Sequence, residues 1–169
     1  MSLDVMPYVH TQIVCANVFI RRGDQLLMLK RSARKKYAPS CIHPVGGKVD
    51  PNENPYEAAT REVLEETGLT IKDLRLEAVL LDIQPVPDEP YNWLVYHFSA
   101  DYQSGMLIDT DEGELIWLTK DEVPHQPLHP SVQPIIDHIL DSTVGTIFVT
   151  YQYDKDRNVK STIDCCVGG

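Results

Sequence analysis

One helix in this chain marks both of its own ends, and short apolar runs crowd it on either side. Asn54 is a helix N-cap, Pro55 follows at the first helical position and Glu57 at the third; good helix formers then continue to a stop at Gly68. Before it, the stretch from about Val9 to Ile20 is rich in β-branched residues, RRGDQ reads as a turn, and LLML resumes the apolar pattern. A hairpin from roughly Thr11 to Lys30 is predicted. After it come LRLEAVLLDI, YNWLVYHFSA and ELIWLT, each of strand length and separated by turn-rich segments. A helix set among strands buries its apolar side against a sheet, so the chain reads as an α/β (α+β) sandwich built on a mixed β-sheet.

The remaining segments extend that reading. RSARKKYAPS is a basic, polar loop, SVQPIIDHILDS reads as a second helix from about Ser131 with Pro134 in its first turn, and GTIFVTYQYDKDRNVKSTIDC reads as a closing hairpin turning near Asp156 to Asn158. There is no internal repeat and no linker, so residues 1–169 are expected to form a single domain large enough for its own core.

A formal charge of −10 argues against a surface that grips a nucleic acid polymer, and leaves a small anionic substrate open if metal ions supply positive charge. Cys15, Cys41, Cys165 and Cys166 lack zinc-type spacing and read as reduced thiols. No apolar run approaches a membrane span, and MSLDVMPYVH lacks the regions of a signal peptide. The expectation is a cytoplasmic protein without a membrane partner.

The clearest chemistry sits in the helix. Glu62, Glu65 and Glu66 stand at i, i+3 and i+4, so they share one side and can converge on a point. Each like-charged pair at this spacing costs about 0.2–0.5 kcal/mol, and the helix dipole disfavours anions near this end. A solvated acidic face would be the ordinary explanation, but the cost falls just before the Gly68 stop, where cations belong. A hard divalent cation resolves the conflict, since Mg²⁺ takes carboxylate oxygens, keeps several waters and bridges to phosphates. Arg61 and Glu53 read as a supporting pair that fixes the preceding loop on the helix, with an i,i+4 pairing of Arg61 to Glu57 or Glu65 also open. At Gly46 and Gly47 the absence of a Cβ lets backbone approach a metal or phosphates.

From Gly47 the chain reads Gly, five residues, Glu53, seven residues, then Arg61-Glu62-Val63-Leu64-Glu65-Glu66-Thr67-Gly68-Leu69. This matches every fixed position of the Nudix box, G-x5-E-x7-R-E-U-x-E-E-x-G-U, and seven fixed identities leave chance agreement negligible. The chain resembles the Nudix hydrolases, and the element order around the box fits that family along nearly its whole length.

The resemblance implies a Nudix-type α/β/α sandwich and Mg²⁺- or Mn²⁺-dependent hydrolysis of a nucleoside diphosphate linked to another moiety. By position it makes Glu62 and Glu66 metal ligands, Glu65 a direct or water-mediated ligand, and the Gly46 carbonyl a further one, with Glu53 and Arg61 supporting them. A downstream loop carboxylate, ligand or base, is expected at Glu112, with Glu114 and Asp111 as competitors.

GGKV after the first strands and the W-L-x-x-D-E-V ending resemble the 8-oxo-dGTP diphosphatases. Where the mammalian member of that branch uses an asparagine and an acidic pair to contact the purine, this chain has His43 and Ser131-Val132, a departure that weakens the same base readout. His43 is a candidate base or phosphate donor and equally a plain loop histidine. Tyr37, Tyr91 and Trp93 are candidates to stack on a base or to pack as strand aromatics. Lys30, Arg31, Arg34, Lys35, Lys36 and Lys48 are candidates to meet phosphates or to form a solvated basic face.

The favoured reading is hydrolysis of a modified, for example oxidised, nucleoside triphosphate to a monophosphate and pyrophosphate. An ADP-ribose or nucleotide-sugar pyrophosphatase is the alternative, followed by a non-catalytic nucleotide sensor. Either a monomer or a homodimer is compatible with the sequence.

Overall fold

The computed structural model describes residues 11–141, 145–156 and 158–167, the last four without their side chains. The amino end read for a signal peptide, and the side chains of Cys165 and Cys166, lie outside the described residues.

The chain opens with the expected hairpin, β1 (Gln12–Arg22) and β2 (Gln25–Arg31). The basic loop follows, then two short strands, β3 (Ile42–His43) and β4 (Val45–Lys48), which sequence patterning had not marked. Helix α1 (Pro55–Thr67) comes next, and the long strands β5 (Leu69–Asp82) and β6 (Asn92–Gly105) lead to β7 (Gly113–Thr119). A 3₁₀ turn at Val123–His125 and a short helix α2 (Ile136–Leu140) precede the closing hairpin, β8 (Thr146–Tyr153) and β9 (Val159–Val167).

The mixed sheet runs β3-β2-β1-β6-β5-β8-β9, with β4 also on β1 and β7 on β2. Two pairings are parallel: β1 with β6, from Gln12 opposite Asn92 to Arg21 opposite Asp101, and β5 with β8. One edge of β1 is shared, its later residues pairing with β2 and Cys15 to Val18 with β4. That sharing seats the glycine strand beside the middle of the sheet.

Both faces of this sheet are covered, which is why β1 is apolar almost without alternation. Ala16, Val18 and Ile20 join Leu27, Val45, Phe98 and the α1 residues Ala58, Ala59 and Val63 in one cluster. Cys15 and Phe19 face the other way, against Leu26, Met28, Leu80, Val95, Val132, Ile135, Ile136 and Ile139. Helix α1 thus closes one face and the Val123–Leu140 segment the other. Among the described residues no helix is long and apolar enough to cross a membrane.

Local chemistry sets the boundaries of α1. Asn54 Oδ1 accepts from the N–H groups of Tyr56 and Glu57 at 2.9 and 3.1 Å, and Glu57 returns a bond to the Asn54 N–H at 2.9 Å, closing a capping box. Gly68 ends the helix in the left-handed region, with its N–H on Leu64 O. Strand β5 starts at the very next residue, five residues before the apolar run that marked it in the sequence.

The second helix is shorter than expected. Residues 131–135 form turns, with Val132 N–H on His129 O and Ile135 N–H on Val132 O, and the α-helix starts only at Ile136. Pro134 lacks a donor and disfavours α geometry at Gln133, so the tighter turns persist until it is passed. The closing turn falls at Asp154 to Asn158, where Asp154 Oδ1 accepts from the N–H groups of Asp156 and Asn158.

A buried polar group ties α2 to the sheet. Arg21 donates to Ile139 O at 2.8 Å and stands 3.6 Å from Glu77, which also accepts from the Ser99 hydroxyl and lies 3.8 Å from His138. Burial lowers the Arg21 pKa, and the Glu77 carboxylate opposes that shift. Removing either partner strands a charge in low dielectric. We expect Arg21→Ala or Glu77→Ala to cost about 3–5 kcal/mol in urea unfolding, and the apolar pair Arg21→Met/Glu77→Leu to cost markedly less than the sum. Additive losses would show that the two charges are not coupled.

Candidate active site

Helix α1 lies over β4 so that its carboxyl half faces the glycines. Glu66 Oε2 accepts the Gly46 N–H at 3.2 Å. A Cβ built on Gly47 would stand 2.6 Å from Glu62 Oε1, and one on Gly46, whose φ is +145°, would meet the Ala16 carbonyl oxygen at 2.2 Å. The glycines therefore admit the Glu62 carboxylate on one side and strand β1 on the other.

Arg61 anchors the loop before the helix. Its Nε and Nη2 bind both oxygens of Glu53 at 3.0 and 2.5 Å, Nη2 also donates to Lys48 O at 3.1 Å, and Nη1 reaches Glu62 at 2.9 Å and Glu65 at 3.1 Å. The fork holds the Glu53 carboxyl below its ordinary pKa. Both alternatives for Arg61 are realised together, the loop pair with Glu53 and the i,i+4 pair with Glu65.

The three helix carboxylates do not converge on one point. Glu62 and Glu66 line a shared cleft of about 510 Å³, whereas Glu65 is turned to the guanidinium of Arg61 and is mostly exposed. Position i+4 from an arginine explains the difference. Burial raises the Glu62 pKa against the pull of Arg61. Burial also pushes Glu66 up to about 7, opposed by the Gly46 N–H and reinforced by the charges of Glu62 and Glu112.

Among the described residues no three His, Cys, Asp or Glu side chains already form a metal-holding group. Two carboxylates beside an open glycine backbone still suit a hard cation that keeps waters and takes its other ligands from a substrate's phosphates. Burial and the neighbouring charges of Glu62 and Glu112 disfavour the ionised form of Glu66, and a bound divalent ion would offset that cost.

Glu112 is the downstream carboxylate that reaches this cleft; it pairs there with Lys35. Asp111 is exposed, and Glu114 sits opposite Lys30 on the β2–β7 pair, beside a separate shallow depression. Arg31, Lys35, Lys48, His43, Tyr37 and Trp93 line the main cleft, while Lys30 and Tyr91 lie outside its walls. Val132 is fully buried in the core, so only Ser131 of that pair borders the cleft.

Several lining residues escaped the sequence reading: Asn17, Asp82 and His129, with His97 buried close by. A signal existed for three of them, because Asn17, His97 and Asp82 are polar positions within or at the end of apolar strand runs. His129 carries no comparable pattern. His43 Nδ1 lies 2.6 Å from the Pro44 carbonyl oxygen and so donates to it, and burial with the Arg31 charge lowers its pKa to about 4. Burial likewise brings His97 to about 3 and His129 to about 2, and the His129 Nδ1 accepts the Ser131 N–H at 3.2 Å. These rings are neutral at physiological pH.

The NUDIX domain pattern matches residues 11–139. The uncharacterized Nudix hydrolase YvcI of Bacillus subtilis is 26% identical over 147 residues, covering 86% of this chain and 89% of that protein. The NAD-capped RNA hydrolase NudC of Yersinia pestis is 35% identical over 133 residues, covering 77% of this chain and 46% of that one, so the chain spans about half the length of that relative. The MutT mutator protein of Bacillus halodurans has a similar solved structure, with a TM-score of 0.76, 28% identity, and coverage of 90% of this chain and 97% of that one. The chain belongs to the NUDIX family. It is a pyrophosphohydrolase by class, in a family that generally uses divalent metal ions.

Raised carboxylate pKa values carry a definite pH signature. Glu66 binds its proton more tightly in the fold than at its ordinary value of 4.5, so the metal-free protein loses stability as pH rises from about 4.5 to about 7. We expect Glu66→Gln to gain on the wild type across that window, by at most about 1.4 kcal/mol per pH unit, in denaturant titrations with chelator present. A constant difference between the two proteins would show that the carboxyl is not perturbed.

Proposed function

We propose that the protein hydrolyses a nucleoside diphosphate linked to another moiety, with Mg²⁺ as cofactor and Mn²⁺ able to replace it. The observation that carries this is the placement of Glu62 and Glu66 against Gly46 and Gly47 in one cleft that Tyr37, Trp93, His43, His129 and Asp82 also line. The carboxylates and glycines suit a cation and phosphates, and the aromatic and histidine side chains suit a flat heterocycle with polar edges.

On this reading Glu62, Glu66 and the Gly46 carbonyl would hold the cation, with Glu65 a direct or water-mediated ligand if it is released from Arg61. Such an ion polarises phosphate oxygens and lowers the pKa of water. Arg61 and Glu53 keep the glycine strand and the helix in register. Arg31, Lys35 and Lys48 draw the phosphates into the cleft and offset charge that develops on their oxygens. Water would attack one phosphorus as the anhydride P–O bond breaks, with Glu112 serving as a further ligand of the cation or as the base that takes the water's proton. A triphosphate would leave as a nucleoside monophosphate and pyrophosphate.

The favoured substrate is a nucleoside triphosphate, ordinary or oxidised. His43 replaces an amide at the base end, and the acidic pair of the 8-oxo-dGTP branch is absent, yet Asp82 brings a carboxylate to the same cleft from the end of β5. The similarity to a MutT mutator protein supports this reading. A diphosphate-linked substrate such as ADP-ribose, a nucleotide sugar or a dinucleotide is the second reading, supported by the NAD-capped RNA hydrolases among the relatives. The net charge of −10 favours a small molecule over an RNA body in either case.

A panel of 8-oxo-dGTP, ordinary dNTPs, ADP-ribose, sugar nucleotides and NAD, assayed with Mg²⁺, separates the readings. We expect turnover that falls by about 10²–10⁴-fold in Glu62→Gln, with a dNTP preferred. Preference for a diphosphate-linked compound would transfer the assignment, and activity unchanged in Glu62→Gln would overturn the site.

A further inference from the structure

We propose that Lys35 is a built-in counter-ion: it holds Glu112 in the substrate-free protein and leaves it for the phosphates of the incoming substrate, which frees Glu112 for the cation and the reaction. The inference rests on the reading of Glu62 and Glu66 as cation holders and goes beyond it, since it couples metal binding to phosphate binding through one named side chain.

The backbone presents these two residues to each other. Arg31 of β2 pairs with Gly113 of β7, the Ser32 N–H donates to Glu112 O at 3.0 Å, and the Lys35 N–H donates to Ser32 O at 3.1 Å. On the other loop the Glu112 N–H donates to Thr110 Oγ1 at 3.2 Å. The loops carrying the ammonium and the carboxylate are therefore laced together by main chain before their side chains meet. Lys35 Nζ then donates to Glu112 Oε2.

Position makes this pair more than a surface contact. Both side chains line the cleft that holds Glu62 and Glu66, and both act on Glu66, Lys35 lowering its pKa and Glu112 raising it. The ammonium thus sits within electrostatic reach of Glu66. Arg61 is committed to Glu53, Glu62, Glu65 and Lys48 O, and Arg31 donates to Tyr37 O at 3.3 Å; Lys48 also lines the cleft, and Lys35 is the lining cation that pairs with Glu112. Lys35, a compact charge on a long flexible stem and partly exposed, can change partner without moving the backbone.

The consequence is a pair of effects with opposite sign. Without substrate, Lys35 competes with a divalent ion for Glu112 and weakens its binding. With substrate, the same ammonium contacts a phosphate and strengthens binding. A residue that only braced the two loops would weaken both when removed.

The test is calorimetric titration of the nucleotide-free full chain with Mn²⁺, comparing wild type, Lys35→Met, Lys35→Arg and the neighbouring charge control Lys36→Met, alongside KM for the best substrate of the panel. We expect Lys35→Met to bind Mn²⁺ about fivefold more tightly while its KM rises about tenfold, with Lys35→Arg near wild type and Lys36→Met unchanged in Mn²⁺ affinity. Unchanged or weaker Mn²⁺ binding in Lys35→Met, or the same gain in Lys36→Met, would overturn the proposal and leave the metal site standing. Absence of Mn²⁺ binding in the wild type, or binding that survives Glu66→Gln undiminished, would overturn both.

Discussion

Two carboxylates that cannot separate are the constraint around which this site is arranged. Glu62 and Glu66 are one turn apart on a capped helix, and the helix is fastened on three sides: by its apolar face on the sheet, by the Arg61 fork to Glu53, and by the Gly46 N–H on Glu66. Neither group can swing into solvent without breaking one of these fastenings. Burial raises both pKa values as a result. A helix chosen for stability alone would place cations here, and the proposed divalent ion is what makes the arrangement intelligible.

The sheet supplies the geometry that the helix requires. Strand β1 shares one edge between β2 and β4, which brings the glycines beside Ala16 and Asn17 and opens a cleft where the strands diverge. Apolar residues alternate between the two covered faces of β1, and the polar Asn17 between them lines the cleft. The Val123–Leu140 segment closes the same face and contributes His129 and Ser131 to the cleft wall. Fold and cleft therefore share side chains, and the histidines held neutral by burial belong to both.

Much of this was legible in the residues because local chemistry specified it. The Asn54 cap, the Gly68 stop, the first hairpin and the spacing of Glu53, Arg61, Glu62 and Glu66 each depend on neighbours in sequence, and each appears in the structure at its expected place. What could not be read depends on tertiary partners. Strand β4 is four residues long and exists only through pairing with β1. Glu65 was grouped with its neighbours by helical spacing, but the choice between cleft and guanidinium is settled by the loop that holds Arg61. Glu112 could be distinguished from Glu114 only by the β2–β7 register, and His129 arrives in the cleft from a segment that carries no periodic signal.

The most direct test of the proposed cation site is thermal unfolding of the chelated protein, followed as Mg²⁺ is added, in wild type and in Glu66→Gln. If the carboxylates are held apart from any cation at a cost, Glu66→Gln melts higher than the wild type without metal, and added Mg²⁺ raises the wild-type Tm while leaving the variant nearly unmoved. Equal melting temperatures without metal, together with equal responses to Mg²⁺, would contradict the account.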